Sequence, residues 1–299
     1  MNFPIRATFR EIFSKRFLVF SLFLILYIGF FILLTVLPSS FFNVFSKFSN
    51  LFVSSNLLRI AMSFFTLFLG LFVVLLIIFA YFYKVLGNYI LSSYVFGKKG
   101  ILELISSIRY KLIPLLIMFI FEFIMRFVRP ILLFLSILLL SIPFLIVGIV
   151  LFVFLKNLMI ISILIGPFMP IYLVVIMYLV ILLDLPLLAT YIGMSNDKDV
   201  TDLIMQSLNY IWNNFKQVTK SIFKYLIFVF ILLLPILLVF GGALYFSKHI
   251  HYSLLLLLPL IGYAVIVGLI NSYGYYRLAS HFYVAVESQL NKDVYDSNK

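Results

Sequence analysis

The sequence predicts an all-α fold, a polytopic membrane bundle of six transmembrane helices joined by amphipathic interfacial helices. Three observations carry that reading. The 299 residues are 65% hydrophobic and 11% charged with a mean hydropathy of +1.23, whereas soluble domains carry about 25% charged residues. Six apolar runs, at residues 17–37, 60–83, 131–155, 158–183, 222–245 and 254–271, are each long enough at 1.5 Å per residue to cross a hydrocarbon layer of about 30 Å. The cations are distributed unequally between the two sides that those runs define. Short alternating strands of the kind that build outer-membrane barrels are absent from the pattern.

The cation distribution sets both the number of spans and the orientation. With six spans, one side receives Arg6, Arg10, Lys15 and Arg16, then Lys84, Lys98, Lys99, Arg109 and Lys111, then Lys198, Lys216, Lys220 and Lys224, and finally Arg277, Lys292 and Lys299. The other side receives Lys47, Arg59, Lys156 and Lys248. Treating the apolar stretch 112–125 as a seventh span would divide the cations evenly and erase the positive-inside bias. Six spans with both termini cytoplasmic in the cell membrane are therefore expected. The run 17–37 is too long for a signal peptide and is read as a retained span.

The elements follow in order. Phe41, Phe45, Phe48 and Phe52 recur at helical spacing after the first span, which predicts an interfacial helix over 41–52 lying flat on the outer leaflet. After the second span, Ile101, Leu104, Ile105, Ile108 and Leu112 share one face, so an interfacial helix over 101–129 is expected, with 112–129 lying in the interface or leading into the third span. The fourth span carries the run Gly166, Pro167 and Pro170 and ends near Asp184, two residues before Pro186. Beyond it, Val200, Ile204, Leu208, Ile211, Phe215, Val218 and Ile222 predict a helix over 200–221 with Asp202, Gln206, Asn209, Asn213, Lys216 and Lys220 opposite. Asn196, Asp197 and Asp199 offer N-caps for it. Tyr81, Tyr83, Tyr89, Tyr94, Tyr273, Tyr275 and Tyr276 fall where an interfacial aromatic belt belongs. Two spans followed by a cytoplasmic helix then recur three times, as in parallel-repeat proteins.

An ionisable side chain within a span costs about 2.5–3.5 kcal/mol on insertion scales, so each one is a functional candidate. Glu122 is the foremost, with Arg126 and Arg129 on the same helical face and spaced for a local ion pair. Asp184 is expected as an interfacial carboxylate without an acidic mate in another span. Gly166, Pro167 and Pro170 would break the fourth span and expose carbonyl groups to a solute.

Other chemistry finds no foothold. The absence of cysteine excludes thiol nucleophiles, disulfides and iron–sulfur ligation within these residues. His249 and His251 are two residues apart and do not share a helical face, and His281 stands alone. No nucleophile elbow, zinc-protease helix or phosphate loop occurs. No enzyme, cofactor or metal is expected. The net charge of +12 is read as topology determinants and contacts to anionic lipids on the cytoplasmic face rather than as a nucleic-acid surface.

Two segments, 87–100 leading from Gly87 and Gly100 into 101–112, and 197–215 leading from Asp197 through Ser207 and Trp212 to Phe215, sit in a six-span pattern. That pattern resembles the membrane domain appended to some glycerophosphoryl diester phosphodiesterases and its uncharacterised prokaryotic relatives. The resemblance implies an integral membrane protein. No soluble phosphodiesterase domain is present among these residues, so it does not extend to lipid-head-group hydrolysis. The first expectation is a non-enzymatic scaffold or the membrane subunit of a larger assembly, with 101–112 and 200–222 as cytoplasmic surfaces for lipid or a protein partner. The second is a transporter or channel subunit using Glu122, Arg126, Asp184 and the break at Gly166–Pro170.

Overall fold

The computed structural model describes residues 3–49, 56–97, 99–155, 169–245 and 253–297. Among them there is no strand, and the helices are α1 (Ile5–Glu11), α2 (Lys15–Ser49), α3 (Asn56–Phe96), α4 (Ile101–Ser107), α5 (Leu112–Leu155), α6 (Met169–Ser195), α7 (Val200–Asn213), α8 (Phe215–Tyr245) and α9 (Ser253–Ser297). Four of the described segments, Lys15–Val36, Thr66–Phe96, Tyr172–Ser195 and Phe215–Pro235, are long and apolar enough to cross a membrane. They mark the chain as a membrane protein.

The helices are longer than the apolar runs that start them. At 1.5 Å per residue, α3, α5 and α9 each span more than about 60 Å, twice the hydrocarbon thickness. Several expected boundaries therefore dissolve. The Phe41–Phe48 segment continues α2 without a break to Ser49 rather than starting a separate helix, while Phe52 lies outside the described residues. The segment 101–129 is divided: α4 ends at Ser107, a short 3-10 turn follows over Ile108–Tyr110, and residues 112–129 form the first part of the continuous helix α5. Residues 112–129 are therefore continuous with the apolar run 131–155 and do not form a separate helix.

Helix α6 also runs past its expected end. The sequence places a stop at Asp184 because Pro186 follows, yet the helix continues to Ser195 with Pro186 inside it. A proline in a helix interior is tolerated where neighbours hold the segment. Leu185, Leu187, Leu188, Ala189, Tyr191 and Ile192 are all buried around it. The helix then closes in a Schellman motif, with the Lys198 N–H on the Gly193 carbonyl at 3.1 Å and the Asp197 N–H on the Met194 carbonyl at 3.2 Å. Asp197 takes the left-handed conformation that this motif requires, at φ 62°. Of the three expected N-caps only Asp199 caps α7, accepting from the Thr201 and Asp202 N–H groups at 2.8 and 3.2 Å.

The helix expected over 200–221 is broken at Asn214, which has φ −120° and ψ 29°. Asparagine is a weak helix former because its amide competes for local bonds. Here the Asn214 side-chain N–H donates instead to Gln289 on α9 at 2.9 Å. The buried face is also rotated from the expected one. Val200, Leu203, Ile204, Ser207 and Tyr210 are buried, whereas Leu208 and Phe215, both expected in the core, are 51% and 52% exposed.

Burial divides the bundle along its length. Large apolar side chains such as Leu26 and Leu33 on α2, Leu67 and Leu71 on α3, and Phe134 and Leu139 on α5 are exposed, as lipid-facing residues are. Most of the buried core comes from residues 85–95 of α3, 181–194 of α6, 218–232 of α8 and 267–286 of α9, with Phe20 and Leu24 of α2 and Leu115 and Met118 of α5 joining it. One end of the bundle is closed by α1, α4, α7 and the turns beside them, here termed the capped end. Phe3 is inserted edge-on against Tyr225 and Phe228 at ring-centroid distances of 5.5 and 5.7 Å, fixing α1 to α8.

The cations at this end tie helix termini together. Arg16 donates to the Gly97 carbonyl at 3.2 Å and Lys99 to the Ser195 carbonyl at 2.7 Å, so each satisfies a carbonyl that a helix terminus leaves unpaired. Arg277 pairs with Glu11 at 2.7 Å, and Lys111 pairs with Asp197 across the α4–α5 and α6–α7 turns.

Candidate functional site

Glu122, Asp184, Lys84 and Arg129 meet inside the bundle. Lys84 lies 12 residues before the end of α3, Glu122 10 residues after the start of α5, and Asp184 11 residues before the end of α6. All three are thus about 15–18 Å along their helices from the capped end, and a single polar layer results.

Glu122 is 6% exposed. Its Oε2 lies 3.2 Å from the Lys84 ammonium, while its Oε1 accepts from the Asn88 amide at 3.1 Å and from the Tyr191 hydroxyl at 2.7 Å. Lys84 and Asn88 are four residues apart on α3 and therefore face the same way. Asn88 Oδ1 in turn accepts from the Tyr276 hydroxyl at 2.9 Å. Beside this group, Arg129 Nη1 is 2.6 Å from Asp184 Oδ1, and Asp184 Oδ2 accepts from the Tyr275 hydroxyl at 2.8 Å. The adjacent residues Tyr275 and Tyr276 on α9 thus reach the two carboxylates separately, one directly and one through Asn88. A cavity of about 200 Å³ lies between the pairs, with Leu187 and Leu188 on its apolar side. It has room for several waters or one small polar solute.

The sequence pattern located only part of this. The local Glu122–Arg126 pair does not form, because Glu122 turns inward to Lys84. Arg126 turns outward, its guanidinium carbon 4.3 Å from the Tyr81 ring centroid. Asp184 is neither at a helix end nor without an acidic mate, since it lines the same cavity as Glu122. Gly166 and Pro167 lie outside the described residues, and Pro170 is the second residue of α6. Lys84 was legible as a cation bordering a span and Tyr275 and Tyr276 only as members of an interfacial belt, while Asn88 and Tyr191 carried no signal beyond their polarity. Tyr89 and Tyr273 are wholly buried and Tyr276 nearly so, which removes them from an interfacial belt. The clue in hindsight is Glu122 itself, a buried-depth carboxylate that needs partners from other helices.

His249 and His251 lie outside the described residues. His281 is half-buried, with no partner for its Nε2, and burial together with the neighbouring Arg277 pushes its pKa below the ordinary value. The Asp197 carboxyl is held below the usual range by its bond to Lys111, and that of Asp199 by the Thr201 hydroxyl and the N–H groups of Asp202 and Thr201. Among the described residues no three His, Asp or Glu groups converge as metal ligands.

Comparisons with protein-family models, with curated proteins and with solved structures find no match to this chain.

Proposed function

We propose that this chain is a six-span protein of the cytoplasmic membrane, both termini cytoplasmic, that binds a small polar or ionic ligand in the cavity between Glu122 and Asp184. It acts there as the membrane subunit of a transport system. One observation carries the reading: two carboxylates and two cations from three helices converge around one cavity, with Glu122 buried and Asp184 and Arg129 largely so. Ion pairs of this kind add little net stability over apolar packing, which leaves these four charges available for a use beyond holding the fold. The ligand would exchange with one ion pair at a time, since each carboxylate already has a cation and a hydroxyl to return to. The six-span arrangement that resembles the phosphodiesterase-appended membrane domain belongs to this proposal as architecture only, with no reaction attached.

A scaffold is the second reading, favoured by the complete pairing of the four charges. A thermal-shift screen of the purified protein against amino acids, organic acids, polyamines and inorganic ions separates the two. The transport reading expects at least one solute that raises the unfolding temperature of the wild type and not of Glu122→Gln or Asp184→Asn. It also expects that solute to cross the membrane of liposomes containing the wild type. A wild type indifferent to every solute, in both assays, would favour the scaffold.

A further inference from the structure

Helix α7 presents two apolar faces, of which the bundle uses one. Val200, Leu203, Ile204 and Tyr210 are packed inward, and Leu203 fits against Gly193 of α6, where a larger residue would collide with it. The second face carries Met205, Leu208 and Trp212, spaced by three and four residues and 69%, 51% and 85% exposed, and Phe215, 52% exposed, follows it across the Asn214 break at the start of α8. Such a stripe has no place in water.

The surface that continues it indicates what covers it. Along α8, Lys216, Lys220, Phe223, Ile227, Ile231 and Leu234 recur every three or four residues, all of them exposed, and so form one outward face. That face changes from ammonium groups to apolar side chains between Lys220 and Phe223. Lysines that border a lipid-facing stripe extend their ammonium groups toward the headgroups while their stems stay with the apolar surface. The change therefore marks the headgroup level, and Trp212 and Phe215 immediately precede it across the Asn214 break. An indole with one polar edge is suited to that level.

We propose that the Met205–Leu208–Trp212–Phe215 face is embedded in the headgroup layer of the bilayer the chain spans, at the capped end. We further propose that Lys216 and Lys220 give it a preference for anionic lipid. α7 is then an interfacial anchor that ties the closure of the capped end to the lipid composition of that leaflet. This face differs from the one the sequence pattern assigned to α7, and the proposal does not depend on the Glu122–Asp184 cavity.

Trp212 is the sole tryptophan of the chain, so the wild type carries its own reporter. The protein is reconstituted into vesicles of phosphatidylcholine, and of phosphatidylcholine with phosphatidylglycerol, using lipids brominated near the headgroup end of their chains. The expected result is blue-shifted indole emission that brominated lipid quenches by about twofold or more and aqueous iodide barely affects. Brominated phosphatidylglycerol quenches more than brominated phosphatidylcholine, and the difference is lost in Lys216→Gln/Lys220→Gln. Moving the reporter with Trp212→Phe/Asn209→Trp makes it accessible to iodide. Emission typical of indole in water, quenched freely by iodide, would overturn the proposal. So would blue-shifted emission insensitive to brominated lipid, which would mean that a second copy or another protein covers the face. Equal quenching by the two headgroups in the wild type would overturn the anionic preference.

Discussion

At the scale of single residues, burial and partners decide what each charge can do. Glu122 was legible as a carboxylate in an apolar run, but not its partner, because helical spacing reports only neighbours on the same helix. Arg126 satisfies the spacing rule and yet lies over Tyr81, while Lys84, distant in sequence, takes the pair. Removing one partner of a buried pair strands the other, which costs about 3–5 kcal/mol, whereas replacing both with apolar residues is often neutral. Lys84 is partly exposed, so the lower end of that range applies. Lys84→Met should lower stability by about 3 kcal/mol, and Lys84→Met/Glu122→Leu should restore much of it, as read by denaturant unfolding in mild detergent. A double variant as unstable as the sum of the singles would deny the coupling.

His281 gives the pH dependence at the same scale. Its folded pKa is depressed, so the folded state binds the proton less readily than the unfolded chain. Its contribution is present above the unfolded value of about 6.5 and is lost as pH falls through the lower folded value. The Asp197 carboxyl, also depressed, acts only below the ordinary Asp range of about 4 and leaves the two windows separate. The unfolding temperature should decline between pH 7 and pH 5, and His281→Gln should flatten that decline. An unchanged slope would assign the pH dependence to other groups.

At the scale of elements, the apolar runs and their order were readable, whereas their lengths and breaks were not. Hydropathy ends where lipid exposure ends, so it does not register that α3, α6 and α9 continue into a packed core of tyrosines and small polar residues. The Pro186 and Asn214 cases fail in opposite directions. Tertiary packing carries α6 through its proline, and an amide bond to Gln289 favours a break in a segment of unbroken apolar period. The contact of α2 with α3 depends on Gly87, where a Cβ would run into the ring of Tyr27. The Tyr27 hydroxyl donates to the Lys84 carbonyl one turn away at 3.3 Å. Gly87→Ala should therefore cost about 1–3 kcal/mol through overpacking, and Tyr27→Leu in the same chain should relieve it. An Ala variant as stable as the wild type would mean that α2 moves aside freely.

At the scale of the whole molecule, the cation bias and the closed end of the bundle agree on a common side. Arg16, Lys99, Lys111 and Arg277, all assigned to one face of the membrane by counting, are also the residues that tie the helix ends together there. In the proposed topology, orientation and structural closure would use the same groups. Reporter fusions after Asn209 and after Lys299 should fall on the same, cytoplasmic face. Opposite faces would require an odd number of crossings between them and would remove the six-span proposal.

Under the proposed function, Glu122 and Asp184 border a cavity that a polar ligand can enter. Leu188 lines that cavity without carrying a charge, and the chain has no cysteine of its own, so Leu188→Cys introduces one thiol at the site with both ion pairs intact. Alkylation by a small, charged, membrane-impermeant reagent is measured in sealed vesicles of each orientation, beside Leu71→Cys as a lipid-facing reference. Leu188→Cys should react with the reagent, and Leu71→Cys should react from neither side. A thiol at position 188 as inert as the one at 71 would contradict it, leaving the four charges as internal struts of a closed bundle.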